Sequence, residues 1–189
     1  MILLDATYLH SFGGKTIIEL VVEKINKSNV LFHILLDSRL KSDIIKKLRN
    51  ENHTFIRANH KNRRDFYKKN KSVFSSVLCL ANVPPPIQHE ALTTIFFHNS
   101  LLLNTLTHKI SFKIRLINFF KFLYIKHYNN KDYSWVVQTS FMNKLLQHNL
   151  NINSDKISTY PIFKKEFKSC NTKKNLNNFV YVSSGVSHK

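Results

Sequence analysis

The sequence predicts an α/β fold, a Rossmann-like parallel sheet with helices on both faces. Short apolar runs alternate with amphipathic stretches as far as about residue 160, the pattern of repeated strand–helix units. The runs are apolar almost throughout, as strands buried on both faces are. Polar or proline-rich turns close them, and no internal repeat interrupts the rhythm.

Residues 1–6 (MILLDA) form the first predicted strand. A helix follows over 16–27, where Ile17, Ile18, Val21, Val22 and Ile25 recur at helical spacing. The next strand spans 30–36, and a helix over 40–49 places Leu40, Ile44, Ile45 and Leu48 on one side. A short strand at 54–58 precedes a basic polar helix near 63–71. The strand at 76–81 is stopped by Pro84, Pro85 and Pro86, which cannot continue a ladder. Further strands are predicted at 94–98 (TIFFH), 134–138 (SWVVQ) and 156–160, with helices at 111–128 and 141–148. Residues 164–178 (KKEFKSCNTKKNLNN) read as a linker, and 179–183 (FVYVS) as one more strand.

A chain of 189 residues with 43% hydrophobic content has enough apolar material for one domain with a proper core. No apolar run reaches the ~18 residues that cross a bilayer. The first run includes Asp5 and lacks a basic leader, so a signal peptide is not expected. Cys79 and Cys170 lack paired spacing and fit a reducing cytoplasm. Twenty-nine Lys and Arg against eleven acids give a net charge of +18. That charge favours an anionic partner such as nucleic acid, acidic lipid or phosphorylated substrate. Compositional drift toward Lys, Asn and Ile is the competing explanation.

Four places carry candidate chemistry. Gly13 and Gly14 fall between the first strand and its helix. There, absent Cβ atoms admit a phosphate to backbone N–H groups, or simply allow a tight turn. His98, with Asn99, ends an apolar strand at the sheet edge where α/β folds bind ligands. It can act as acid or base, or be structural. Asp5 faces the same edge or caps its turn. Gln138 and Thr139 close another strand at that edge, with Ser140 as the expected helix N-cap. The segment SFKIRLINFFKFLYIKHY mixes cations with aromatics, as an interfacial helix does. Its basic residues do not collect on one face, which favours a core helix with solvated lysines. There is no metal-binding, serine-nucleophile or paired-cysteine motif.

Taken in order, the glycine pair, ANVPPP, TIFFHNSLLL, WVVQTSFMNKLL, KISTYPIF and NFVYVSSGVSHK resemble the retaining glycosyltransferases of family 4 with the GT-B architecture. The likeness is greatest to bacterial members that build O-antigen, lipopolysaccharide or capsule. It implies an acceptor-side Rossmann-like domain over 1–163, a linker over 164–178, and a truncated start of the donor-binding domain over 179–189. By the same resemblance, Gly13 and Gly14 face the donor diphosphate. His98 is the catalytic histidine near the transferred sugar, and Asp5, Asn99, Gln138 and Thr139 line the acceptor cleft. Pro161 matches the proline before the interdomain hinge. The implied substrates are a nucleotide-sugar donor and a lipid-linked sugar acceptor, with no cofactor and no metal. The implied location is cytoplasmic, peripheral on the inner face of the membrane against anionic lipid. The family's donor-binding glutamate pair has no counterpart here, so independent catalysis is not expected. The alternative reading is a basic nucleic-acid-binding module, and a third is a small standalone enzyme with His98 as base.

Overall fold

In the computed structural model of the protein, residues 1–10, 12–40, 46, 48, 52–103 and 111–160 are described. The chain begins with β1 (Ile2–Ala6), α1 (Phe12–Asn26) and β2 (Phe32–Asp37), and continues with β3 (His53–Ile56) and α2 (His60–Lys69). Then come β4 (Ser76–Cys79), β5 (Leu92–Phe97), α3 (Phe112–Tyr128), β6 (Ser134–Val137), α4 (Ser140–Leu150) and β7 (Ile157–Thr159). The strands form one seven-stranded sheet in the order β3-β2-β1-β4-β5-β6-β7. Every neighbouring pair is parallel. Strand order reverses between β1 and β4, and such a switch point is where an open α/β sheet makes a crevice at its carboxyl edge.

Alternation along each strand divides the core in two. Leu3, Leu35, Val77, Ile95, Phe97, Trp135 and Val137 pack with Tyr67 of α2, Ile125 of α3 and Leu146 of α4. Leu4, Ile34, Leu36 and Phe96 pack with Ile17, Ile18, Val22 and Ile25 of α1. The apolar runs are continuous because both sheet faces are covered.

Several boundaries move from their expected places. Helix α1 starts at Phe12 and takes both glycines into its first turn. The first N–H groups of a helix need no intrahelical partner, so glycine is tolerated there. Strand β5 begins at Leu92 and ends at Phe97, placing His98 just past the ladder. Helix α4 is capped by Thr139, whose hydroxyl accepts from the Met142 N–H at 3.3 Å, and Ser140 is its first helical residue. Most of the helix expected over 40–49 lies outside the described residues, as do the linker at 164–178, the strand at 179–183 and Pro161.

Helix α2 is polar in sequence yet drives a side chain through the core. Arg63 is 0% exposed and donates from Nε to Asp5 Oδ2 at 2.7 Å. Its Nη1 and Nη2 donate to the carbonyls of Pro84 and Val83 at 2.7 and 3.3 Å. The triple-proline segment is buried, and buried carbonyls need donors. Arg63 supplies them.

Helix α3 differs from a simple core helix. It rests on the sheet through Ile125, with Phe122 packed against the same core. Phe112, Leu116, Ile117, Phe119, Phe120 and Leu123 are nonetheless exposed.

Candidate functional site

The carboxyl edge of the sheet brings together residues far apart in sequence. Cys79 of β4 pairs with Ile95 of β5, and Phe97 of β5 pairs with Val137 of β6. Asn82, His98 and Gln138 therefore follow three adjacent strand tips. Asn82 holds this edge together. Its Oδ1 accepts from the backbone N–H groups of His98 and Asn99 at 2.6 and 3.0 Å. Its own backbone sits at φ 65°, a left-handed conformation that asparagine tolerates better than most residues.

Those two bonds fix which way the Asn82 amide faces. The nitrogen Nδ2 is left toward His98 Nε2, 3.3 Å away. An amide nitrogen only donates, so Nε2 accepts and the imidazole proton resides on Nδ1. That Nδ1 is buried and has no partner among the described residues. The ring stacks on Phe96 with centroids 5.2 Å apart. Burial pushes the His98 pKa down to about 4. A neutral imidazole of this kind is a hydrogen-bond donor through Nδ1 and a poor base at neutral pH.

The other expected site residues divide into edge and interior. Asn99 is half-buried, and its side chain accepts from the Leu101 N–H at 3.1 Å to cap a short turn. Gln138 is half-buried at the tip of β6, and Thr139 is exposed beside it, its hydroxyl engaged in the α4 cap. Gly13 is exposed, and a Cβ built there meets nothing within 4 Å. Gly14 is packed: its Cβ would lie 3.3 Å from Leu9 Cα. Neither glycine has a left-handed φ, so close approach, and only at Gly14, is the demand made on the pair.

Asp5 does not line a cleft. It is 2% exposed. Its Oδ1 accepts from the N–H and hydroxyl of Thr7 at 3.1 and 2.6 Å. Its Oδ2 accepts from Arg63 and from the Tyr67 hydroxyl at 2.7 and 2.8 Å. Burial alone would raise its pKa; the charge of Arg63 and the donated hydrogen bonds outweigh that and hold it below the usual carboxylate value. Every lone pair direction is occupied, so the carboxylate is an internal anchor.

Asn82 and Arg63 are the residues that sequence reasoning misses. The signal for Asn82 is its position between a strand and three prolines, where a left-handed turn residue is useful. A second polar cluster stands at the tip of β2, where buried Asp37 accepts from Arg39 Nε at 2.9 Å and lies 3.5 Å from His10 Nδ1. Among the described residues no three of His, Cys, Asp or Glu converge as a metal site requires.

Comparison with protein-family models, curated proteins and solved structures finds no match for this chain.

Proposed function

We propose that this chain forms the acceptor-side wall of a sugar-transferring enzyme, binding a glycan along the carboxyl edge of its sheet. The observation that carries this reading is the row Asn82, His98, Asn99 and Gln138 on adjacent strand tips. The half-buried amides of Asn99 and Gln138 suit a neutral, hydroxyl-rich ligand, since sugar hydroxyls both donate and accept. Asn82 and His98 hold the edge on which they stand. The open space at Gly13, beside the first turn of α1, suits an anionic diphosphate on the donor side. The ordered resemblance to GT-B glycosyltransferases of cell-surface polysaccharide synthesis agrees with that arrangement. In this reading the nucleotide-sugar contacts come chiefly from a second lobe, and Gln138 meets the glycan. His98, with its Nδ1 buried and its Nε2 on Asn82, positions the edge beside it.

Ligand-observed saturation-transfer NMR tests it, using lipid-free acceptor fragments: free disaccharides and N-acetylglucosamine 1-phosphate. At least one fragment should receive saturation from the wild-type protein. Gln138→Ala should weaken that binding by about tenfold, the worth of one good hydrogen bond to a neutral partner. His98→Ala should weaken it as well, by loosening the edge that carries Asn99 and Gln138. Absence of binding by every fragment, or binding by both variants as strong as that of the wild type, overturns the reading.

A further inference from the structure

We propose that α3 is a membrane-docking helix, lying along an anionic lipid surface with its outward apolar stripe buried at the headgroup–acyl boundary. This goes beyond the acceptor reading and stands on a different part of the molecule. Phe112, Leu116, Phe119, Phe120 and Leu123 are all exposed, Phe112 by 78% and Phe120 by 61%. At 100° per residue these five fall within an arc of about 100°, on the side opposite the buried Asn118 and Ile125. The helix is thus apolar on two faces. One packs on the sheet, and the other has no protein covering it among the described residues.

Charge selects what covers it. Helix α3 contains Lys113, Arg115, Lys121 and Lys126 and no acidic residue. Exposed Lys113 and Lys126 flank the stripe on opposite sides, where long side chains reach headgroup phosphates while the rings go deeper. Helix α2 lies alongside, fixed by His60 against Tyr124, whose hydroxyl is 3.3 Å from His60 Nδ1. It adds exposed Lys61, Arg64 and Lys68. A second copy would set cations against cations on a chain of charge +18. The segment 161–189 is lysine-rich as well, so it repels the same face. An anionic bilayer satisfies both features, and each cation near its surface adds attraction. No helix among the described residues is long and apolar enough to cross a membrane, so the contact is along the surface.

Flotation of the full chain tests the proposal, using vesicles of phosphatidylcholine with and without phosphatidylglycerol. The protein should float with anionic vesicles and much less with phosphatidylcholine alone, and added salt should release it. Phe112→Ser/Phe120→Ser and Lys113→Glu/Lys126→Glu alter only exposed positions and should each lower binding by at least about tenfold. Circular dichroism of both variants should match the wild type. A wild-type chain that stays in solution with anionic vesicles at low salt overturns the proposal, as does flotation of both variants to the same extent as the wild type. Two other outcomes also overturn it. One is a dimer in sedimentation that the phenylalanine variant dissociates. The other is saturable oligonucleotide binding at physiological salt with the same dependence on α3, which makes nucleic acid the partner. Because the acceptor test uses lipid-free fragments, either proposal can fail without the other.

Discussion

The imidazole of His98 is neutral at physiological pH because burial lowers its pKa from the ordinary 6.5 to about 4. An unfolded chain binds this proton more readily than the folded one between those two values. Stability contributed by His98 is therefore complete above pH 6.5 and is lost as pH falls toward 4. Moving from pH 7 to pH 5 should cost about 2 kcal/mol through this residue. His33 and His89 are shifted in the same direction by burial. The measurement is therefore the difference in urea-unfolding free energy between wild type and His98→Asn at the two pH values. An identical pH slope in the two proteins would mean that His98 titrates normally. Asn82 offers a second residue-scale test. Asn82→Gly keeps the left-handed backbone but loses the acceptor for two N–H groups, and should cost about 2 kcal/mol. Asn82→Ala loses both and should cost about 1 kcal/mol more. His98 and Asn99 are legible in sequence because they directly follow an apolar run. Asn82 is not, because its task is set by backbone groups sixteen and seventeen positions on.

At the scale of elements, the strands are the legible part. A strand covered on both faces is apolar along most of its length, and no other element among the described residues combines that with such brevity. Helix starts are harder to read, as α1 shows. A glycine pair suggests a loop, yet the N–H groups of a helix's first turn have no intrahelical partner, and glycine is tolerated there. Substitution separates the two glycines. Gly13→Ala places its Cβ in open space and should stabilise the protein by about 0.5 kcal/mol through helix propensity. Gly14→Ala meets Leu9, Cα included, at 3.3 Å and should be neutral or destabilising. Chemical denaturation distinguishes them, and equal effects at both positions would place the helix start elsewhere. Removal of the α4 cap in Thr139→Ala should cost about 1 kcal/mol, whereas Ser140→Ala should cost little. The outward stripe of α3 is hidden in sequence for a different reason. Two apolar faces on one helix nearly cancel as a directional signal, and only the packed side reveals which face is left over.

At the scale of the whole molecule, the Asp5–Arg63 pair ties together what the chain topology separates. Asp5 belongs to β1, Arg63 to α2, and the carbonyls Arg63 satisfies belong to the segment after β4. These parts meet at the switch point, so one guanidinium braces the two halves of the sheet beneath the candidate site. Periodicity cannot announce such a contact, since the partners are 58 residues apart and α2 is polar overall. Removing one member leaves a buried charge without a counterion, which costs about 3–5 kcal/mol. Arg63→Met should therefore be among the most destabilising substitutions in the chain, and Arg63→Lys should also be costly. A lysine offers no planar fork to reach Asp5, Pro84 and Val83 together. The pair also sets an acid limit. The Asp5 pKa is lowered on folding, so its stabilising contribution is present above the unfolded value of about 3.9 and disappears as pH falls through the lower folded value. Asp5→Asn should be less stable than wild type at pH 7, and the gap should narrow as pH drops below about 4. Urea unfolding of the two proteins across that range reads the gap directly. A gap that stays constant down to acid unfolding would show that the carboxylate gains nothing from Arg63, and the brace would then be a matter of hydrogen bonding to carbonyls alone.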